Sequence, residues 1–150
     1  MIETEKGHTI FPVFSGLNDH AYSVFMDSTI KKEYQKGTIL IEHGKKNKFV
    51  FFLISGSAKS YNFKDSKQIC LWFAFEGDCI ATIRSFDDLI SQETVELLED
   101  SELIQIELDD LMTLSNQFIS IRYLMFQLLK EHIVFLEYKL NGLQFMTSEE

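Results

Sequence analysis

Few side chains in this sequence have the types and spacing that chemistry requires. The two cysteines, Cys70 and Cys79, form no C-x-x-C pair, and His8, His20, His43 and His132 are dispersed. Zinc or iron–sulfur ligation needs clustered thiolates or paired imidazoles, so no metal ligand is assigned. No serine or cysteine has a locatable His–acid partner for nucleophilic catalysis, and the expectation is a protein that is not an enzyme. One stretch stands apart, from Glu76 to Glu102: E-G-D-C-I-A-T-I-R-S-F-D-D-L-I-S-Q-E-T-V-E-L-L-E-D-S-E. Its strand-like alternation stops at Gly77-Asp78 and resumes near Thr94. The segment between, Ala81 to Gln92, is too polar for a core and too apolar for a plain surface loop. A loop on a rigid scaffold can aim backbone N–H groups at a ligand.

The rest of the chain must supply that scaffold. At 150 residues it is one domain, or one domain plus a long helix. Apolar content of 45% with 14 Phe provides a core. The net charge of −9 opposes a grip on DNA or an anionic membrane, which needs clustered Lys and Arg. Met1 to His8 is charged, with no signal-peptide core. No apolar run approaches the length of a membrane span. A cytoplasmic protein with reduced thiols is expected.

Residues 1–14 read as a loose lead-in. Asn18-Asp19 caps a short helix to about Met26. From Ile30 the pattern is β. Predicted strands are Ile30–Tyr34, Thr38–Ile41, Phe49–Ile54, Ser57–Phe63, Lys67–Phe75, Thr94–Leu98 and Glu102–Glu107. With these seven placed, about eight short strands are expected in all, with turns every ten or so residues. The expected class is mainly β with α, a double-stranded β-helix or jelly roll.

At Asp109 the period changes. Asp109-Asp110 suits a helix N-terminus, Leu111–Leu114 a short turn of helix, and about 117–144 a long one. Phe126, Leu129, Ile133, Leu136, Leu140 and Leu143 recur at spacings of 3 and 4, an a/d seam for packing against a partner helix. Ile121, Leu124, Met125, Leu128 and Phe135 lie on a different face. A helix with two apolar faces is expected to bury one against its own β domain and one against a second copy. The chain is thus divided into a jelly roll over 10–115, a dimerisation helix over 116–145 and a linker start over 146–150. Thr147-x-x-Glu150 is a capping-box pattern, the expected start of a further helix.

This order resembles the cyclic-nucleotide-binding domain of Crp/Fnr-type bacterial transcription regulators. The matching residues are Lys36-Gly37-Thr38-Ile39-Leu40, Gly44, Phe52-Leu53-Ile54-Ser55-Gly56, Tyr61, Glu76-Gly77-Asp78 and Leu98-Glu99-Asp100-Ser101-Glu102-Leu103. The similarity spans about residues 10–145. It implies a helix-turn-helix domain after the dimer helix, so that DNA contact would lie outside this sequence.

In nucleotide-binding members a Gly-Glu pair on a short helix start and an Arg-Ser or Arg-Thr pair hold the ligand. Backbone N–H groups and the guanidinium neutralise the phosphate, and the Glu accepts from the ribose. The resemblance places Ala81-Thr82 at the first pair and Ser91-Gln92 at the second. Both the ribose acceptor and the phosphate guanidinium are missing. Loss of a charge-assisted pair costs about 1.5–3 kcal/mol, one to two decades in affinity. Asp87, Asp88 and Glu93 further oppose an anion. The candidate pocket is Ala81, Thr82, Ile83, Arg84, Ser91 and Gln92. No cofactor is identified; a cyclic nucleotide or another small anionic effector is the ligand class that the resemblance implies.

The expected function is therefore the sensor and dimerisation domain of such a regulator, with a degenerate phosphate-binding cassette. One alternative is a true cyclic-nucleotide receptor in which Arg84, the only arginine of the loop, holds the phosphate. Another is a cupin-like metalloenzyme, for which His43 alone is too little.

Overall fold

The computed structural model describes residues 11–148. Eight strands are present: β1 (Thr29–Tyr34), β2 (Ile39–Ile41), β3 (Phe49–Ser55), β4 (Ala58–Lys64), β5 (Lys67–Ala74), β6 (Cys79–Ile80), β7 (Thr94–Leu97) and β8 (Ser101–Glu107). They form two four-stranded sheets, β1-β8-β3-β6 and β2-β7-β4-β5, with antiparallel pairing throughout. Packed face to face, they make the expected jelly roll.

The continuous apolar run of β3 follows from its place between two cores. Successive side chains of a strand point to opposite faces. Phe51 and Leu53 enter the core between the sheets, with Ile41, Ala58, Ile80, Val95, Leu97 and Leu103. Val50 and Phe52 enter a second core beneath the helices, with Ile104 and Ile106 of β8. A strand covered on both faces has no solvent side for polar residues.

The second core corrects the loose lead-in expected before residue 14. Phe11 and Phe14 are both fully buried, and Pro12–Gly16 is a 3-10 turn. Phe14 meets Phe52, Phe25 and Phe11 with ring centroids at 5.0, 5.3 and 5.2 Å. Two phenylalanines outside any periodic run carry no face signal, so only the packing reveals them. Residues 1–10 lie outside the described residues. Helix α1 (Asp19–Asp27) follows, and the Asn18 side chain accepts from the Ala21 N–H at 2.8 Å, as the capping signal predicts.

At the C-terminal end, the predicted turn at Leu111–Leu114 is a full helix, α2 (Leu108–Gln117). The chain breaks at Phe118, with φ −125° and ψ 119°, and helix α3 runs from Ile119 to Ser148. The Arg122 Nε donates to the Ser115 carbonyl across this corner at 3.2 Å. Thr147 lies within α3, so the described part of the Thr147–Glu150 pattern does not head a new helix; residues 149 and 150 lie outside the described residues.

The two apolar faces of α3 separate. Ile121 and Leu124 are buried in the helical core, with Met125 and Leu128 packed partly against it. Phe126, Ile133, Leu136, Leu140 and Leu143 are 45–61% exposed, and Leu129 is half-buried. At about 1.5 Å per residue the helix is some 45 Å long, so its second half runs past the core. Among the described residues no helix is long and apolar enough to cross a membrane.

Candidate functional site

The cassette begins where β6 ends. β6 is only two residues long and pairs with β3, Cys79 opposite Phe52 and Ile80 opposite Phe51. Two residues cannot display an alternation, which is why the sequence shows no strand there. The chain then turns through a 3-10 segment, Ile83–Asp87, ended by Asp88 at φ 54°. Polar bonds hold this turn from beneath. The Thr82 and Ser85 hydroxyls lie 2.6 Å apart. Asn47 donates to the Ser85 hydroxyl at 3.2 Å and to the Phe49 carbonyl at 2.7 Å.

The far end of the loop is joined to the β2–β3 turn. Gly44 N–H donates to the Ser91 carbonyl and Ser91 N–H to the Lys45 carbonyl, both at 2.8 Å. Lys46 pairs with Asp88 at 2.8 Å.

Between this loop and α3 lies a cavity of about 260 Å³. Trp72, Phe73 and Ala74 of β5 form one wall. Asp78, Cys79, Ala81, Thr82, Ile83 and Phe86 form the base. Leu128, Leu129, Glu131, His132 and Phe135 of α3 close it. Of the sequence candidates, Ala81, Thr82 and Ile83 line this space, whereas Arg84, Ser91 and Gln92 do not. The Arg84 Nε donates to the Ile90 carbonyl at 2.7 Å, within its own loop. Ser91 is buried and its hydroxyl donates to the Glu93 carbonyl at 2.7 Å. Gln92 is exposed.

The helix residues of the cavity were not among the candidates. Leu128, His132 and Phe135 stand at i, i+4 and i+7, one face of the helix, and the apolar set that includes Leu128 and Phe135 was a signal for it. The choice of Leu129 as a seam residue overlaps with the cavity, since it lines the wall while standing between Phe126 and Ile133.

The local charge is negative. Asp78 and Glu131 line the cavity, and no lysine or arginine does. Burial pushes the Cys79 thiol well above the usual range, and the Glu131 and Asp78 carboxylates add to the shift. That thiol stays neutral, and neutral thiols are poor nucleophiles. Among the described residues no group of three or more His, Cys, Asp or Glu could hold a metal ion.

A further carboxylate sits behind the β5 wall. Glu93 Oε2 accepts from the Ser60 hydroxyl at 2.7 Å and from the Trp72 indole N–H at 3.1 Å. Ser60 is fully buried. Truncating Glu93 to alanine strands two donors, so Glu93→Ala is expected to cost about 1–3 kcal/mol. Urea denaturation checks this; a loss below about 0.5 kcal/mol would show the bonds to be idle.

Comparison with solved structures finds the same fold in several proteins. The catabolite activator protein of Thermus thermophilus matches with a TM-score of 0.76 at 18% identity, over 89% of this chain and 63% of that one. The chain thus spans somewhat under two thirds of that protein. The sensor domain of the transcriptional regulator DNR from Pseudomonas aeruginosa matches with a TM-score of 0.71 at 18% identity, over 91% of this chain and 90% of that one. The N-terminal domain of a transcriptional regulator from Streptomyces coelicolor A3(2) gives 0.68 at 16% identity, covering 81% and 88%. At these identities the likeness is one of fold. No curated protein matches significantly. The family described as "Cyclic nucleotide-binding domain" matches residues 31–118, from β1 through α2, and encloses the whole cassette. The chain therefore belongs to the cyclic nucleotide-binding domain family.

Proposed function

We propose that this chain is the sensor and dimerisation domain of a Crp/Fnr-like bacterial transcription regulator, a non-enzymatic cytoplasmic module with a degenerate phosphate-binding cassette. One observation carries the proposal. Helix α3 closes the cavity with one edge and presents an exposed apolar seam along another. A molecule that fills the cavity presses on the same rigid element that would meet a second copy. Leu129 belongs to both edges and is the residue through which one would bias the other.

The fold neighbours named as a catabolite activator and as transcriptional regulators support the regulatory role. With a net charge of −9, this chain would leave DNA contact to a separate helix-turn-helix domain. The effector is not expected to be a cyclic nucleotide held in the usual manner. A cyclic phosphate needs a cation, and the cavity offers two carboxylates instead. Arg84 is engaged by the Ile90 carbonyl, which disfavours the alternative of an Arg84-based receptor.

The dimer seam gives the test. A C2 contact through α3 would pack Phe126, Leu129, Ile133, Leu136, Leu140 and Leu143 against their own copies. Leu136→Asp or Leu140→Asp then buries two carboxylates per dimer, at about 2 kcal/mol or more each. The dissociation constant rises about a thousandfold. Sedimentation velocity should show a dimer for the unmodified chain and a folded monomer for either variant. A dimer that survives both substitutions would sink the seam assignment.

A further inference from the structure

The chemistry lining the cavity is unusual for a place expected to take an anion, and it narrows what can bind there. Four aromatic residues, Trp72, Phe73, Phe86 and Phe135, line a space that the exposed Asp78 and Glu131 also line. One Asp78 carboxylate oxygen accepts from the Phe75 N–H at 2.8 Å, and the other oxygen and Glu131 supply the negative charge. Among the lining residues only His132 can carry positive charge. Aromatic faces are electron-rich and attract cations, most strongly when water is excluded. Carboxylates lining the same space act in the same direction. Burial first, and then the Glu131 and Asp78 carboxylates, push the Cys79 thiol up.

The chain already shows such a pairing at the cavity wall. The Lys139 ammonium lies over the Phe135 ring, 5.0 Å from its centroid, and donates to the Leu71 carbonyl on β5. Size is a second constraint. A volume of about 260 Å³ falls below the roughly 300–1,000 Å³ of most small-molecule sites.

We propose that the cavity between the cassette and α3 takes a small organic cation, an ammonium group on a compact apolar body, with the aromatic walls and the Asp78 and Glu131 carboxylates as its recognition elements. The proposal rests on the cavity being the effector site of the domain and names the chemical class of that effector. It also supplies a route to the seam. An ammonium that enters competes with Lys139 for Phe135, and Lys139 joins the second half of α3 to the Leu71 carbonyl of β5.

The experiment compares an ammonium with its uncharged twin. Calorimetric titrations of the full chain use choline and benzyltrimethylammonium as cations, 3,3-dimethylbutanol as the carbon isostere of choline, and cyclic AMP. The ammonium probes are expected to bind at least about tenfold more tightly than 3,3-dimethylbutanol. Phe135→Leu, which keeps the apolar filling and removes the ring, and Glu131→Gln, which keeps the shape and removes the charge, should each erase most of that preference. Binding of 3,3-dimethylbutanol as tight as that of choline overturns the cation assignment and leaves the cavity as an effector site. Silence of both ammonium probes at millimolar concentration, or binding indifferent to both substitutions, overturns it as well. Micromolar binding of cyclic AMP overturns the degenerate-cassette reading of the proposed function.

Discussion

Phe52→Ala is expected to cost about 3–5 kcal/mol, the range for deleting a large aromatic ring from a packed core. Phe52 is fully buried on β3, a strand paired on both sides, opposite Ile104 of β8 and Cys79 of β6. Its ring lies 5.0 Å from Phe14, 5.7 Å from Phe11 and 6.1 Å from Phe25. These neighbours come from two elements, the N-terminal segment and α1, so no single movement collapses the hole. Since β6 carries the base of the cavity, the loss should also loosen the site. Urea denaturation checks the figure, with Phe63→Ala as control. Phe63 is 61% exposed at the end of β4, and its truncation should stay within about 0.5 kcal/mol. A loss below about 1.5 kcal/mol at Phe52 would mean that the ring cluster is not the centre of the helical core.

Gly56→Ala should be of similar size for a different reason. Gly56 joins β3 to β4 with φ +106°. A Cβ built there would lie 2.0 Å from the Ser101 Oγ, 2.6 Å from its Cβ and 3.0 Å from its Cα. Rotating the Ser101 hydroxyl relieves only the first contact. The turn must therefore move away from β8, and together with the backbone strain the cost is about 3 kcal/mol or more. Gly44 separates the two causes. It has φ +83° with nothing within 4 Å of its Cβ position, so Gly44→Ala pays for strain alone, about 1–3 kcal/mol. Thermal denaturation of the two variants should rank Gly56→Ala clearly below Gly44→Ala, and adding Ser101→Gly should restore part of the difference. Equal melting temperatures would show that β8 yields freely.

Much of this architecture was legible because its signals are local. The run from Phe49 to Ile54 announces a strand covered on both faces, and its side chains do divide between two cores. Asn18 announces a cap, and its side chain takes the Ala21 N–H. The two apolar faces of α3 are visible as two sets of spacings, one of which the structure buries at Ile121 and Leu124. What stayed hidden depends on tertiary packing. Phe11 and Phe14 belong to no periodic segment, and only their ring contacts disclose their place. Cys79–Ile80 is too short a strand to alternate.

The candidate site was half legible for the same reason. Position in the chain located the cassette, and Ala81, Thr82 and Ile83 do line the cavity. The direction of a side chain is not a property of position, so Arg84 and Ser91 could be placed only by their bonds to the Ile90 and Glu93 carbonyls. The opposite wall, Glu131, His132 and Phe135, lies some fifty residues further along the chain, on a helix whose other apolar edge carried the stronger pattern.

The proposed loss of the phosphate site is tested most directly by calorimetric titration of the chain with cyclic AMP and cyclic GMP. With no lysine or arginine lining the cavity, no saturable heat is expected from either nucleotide at micromolar concentrations, and Arg84→Ala should change nothing. Binding of either nucleotide with a micromolar or tighter dissociation constant, abolished by Arg84→Ala, would contradict it.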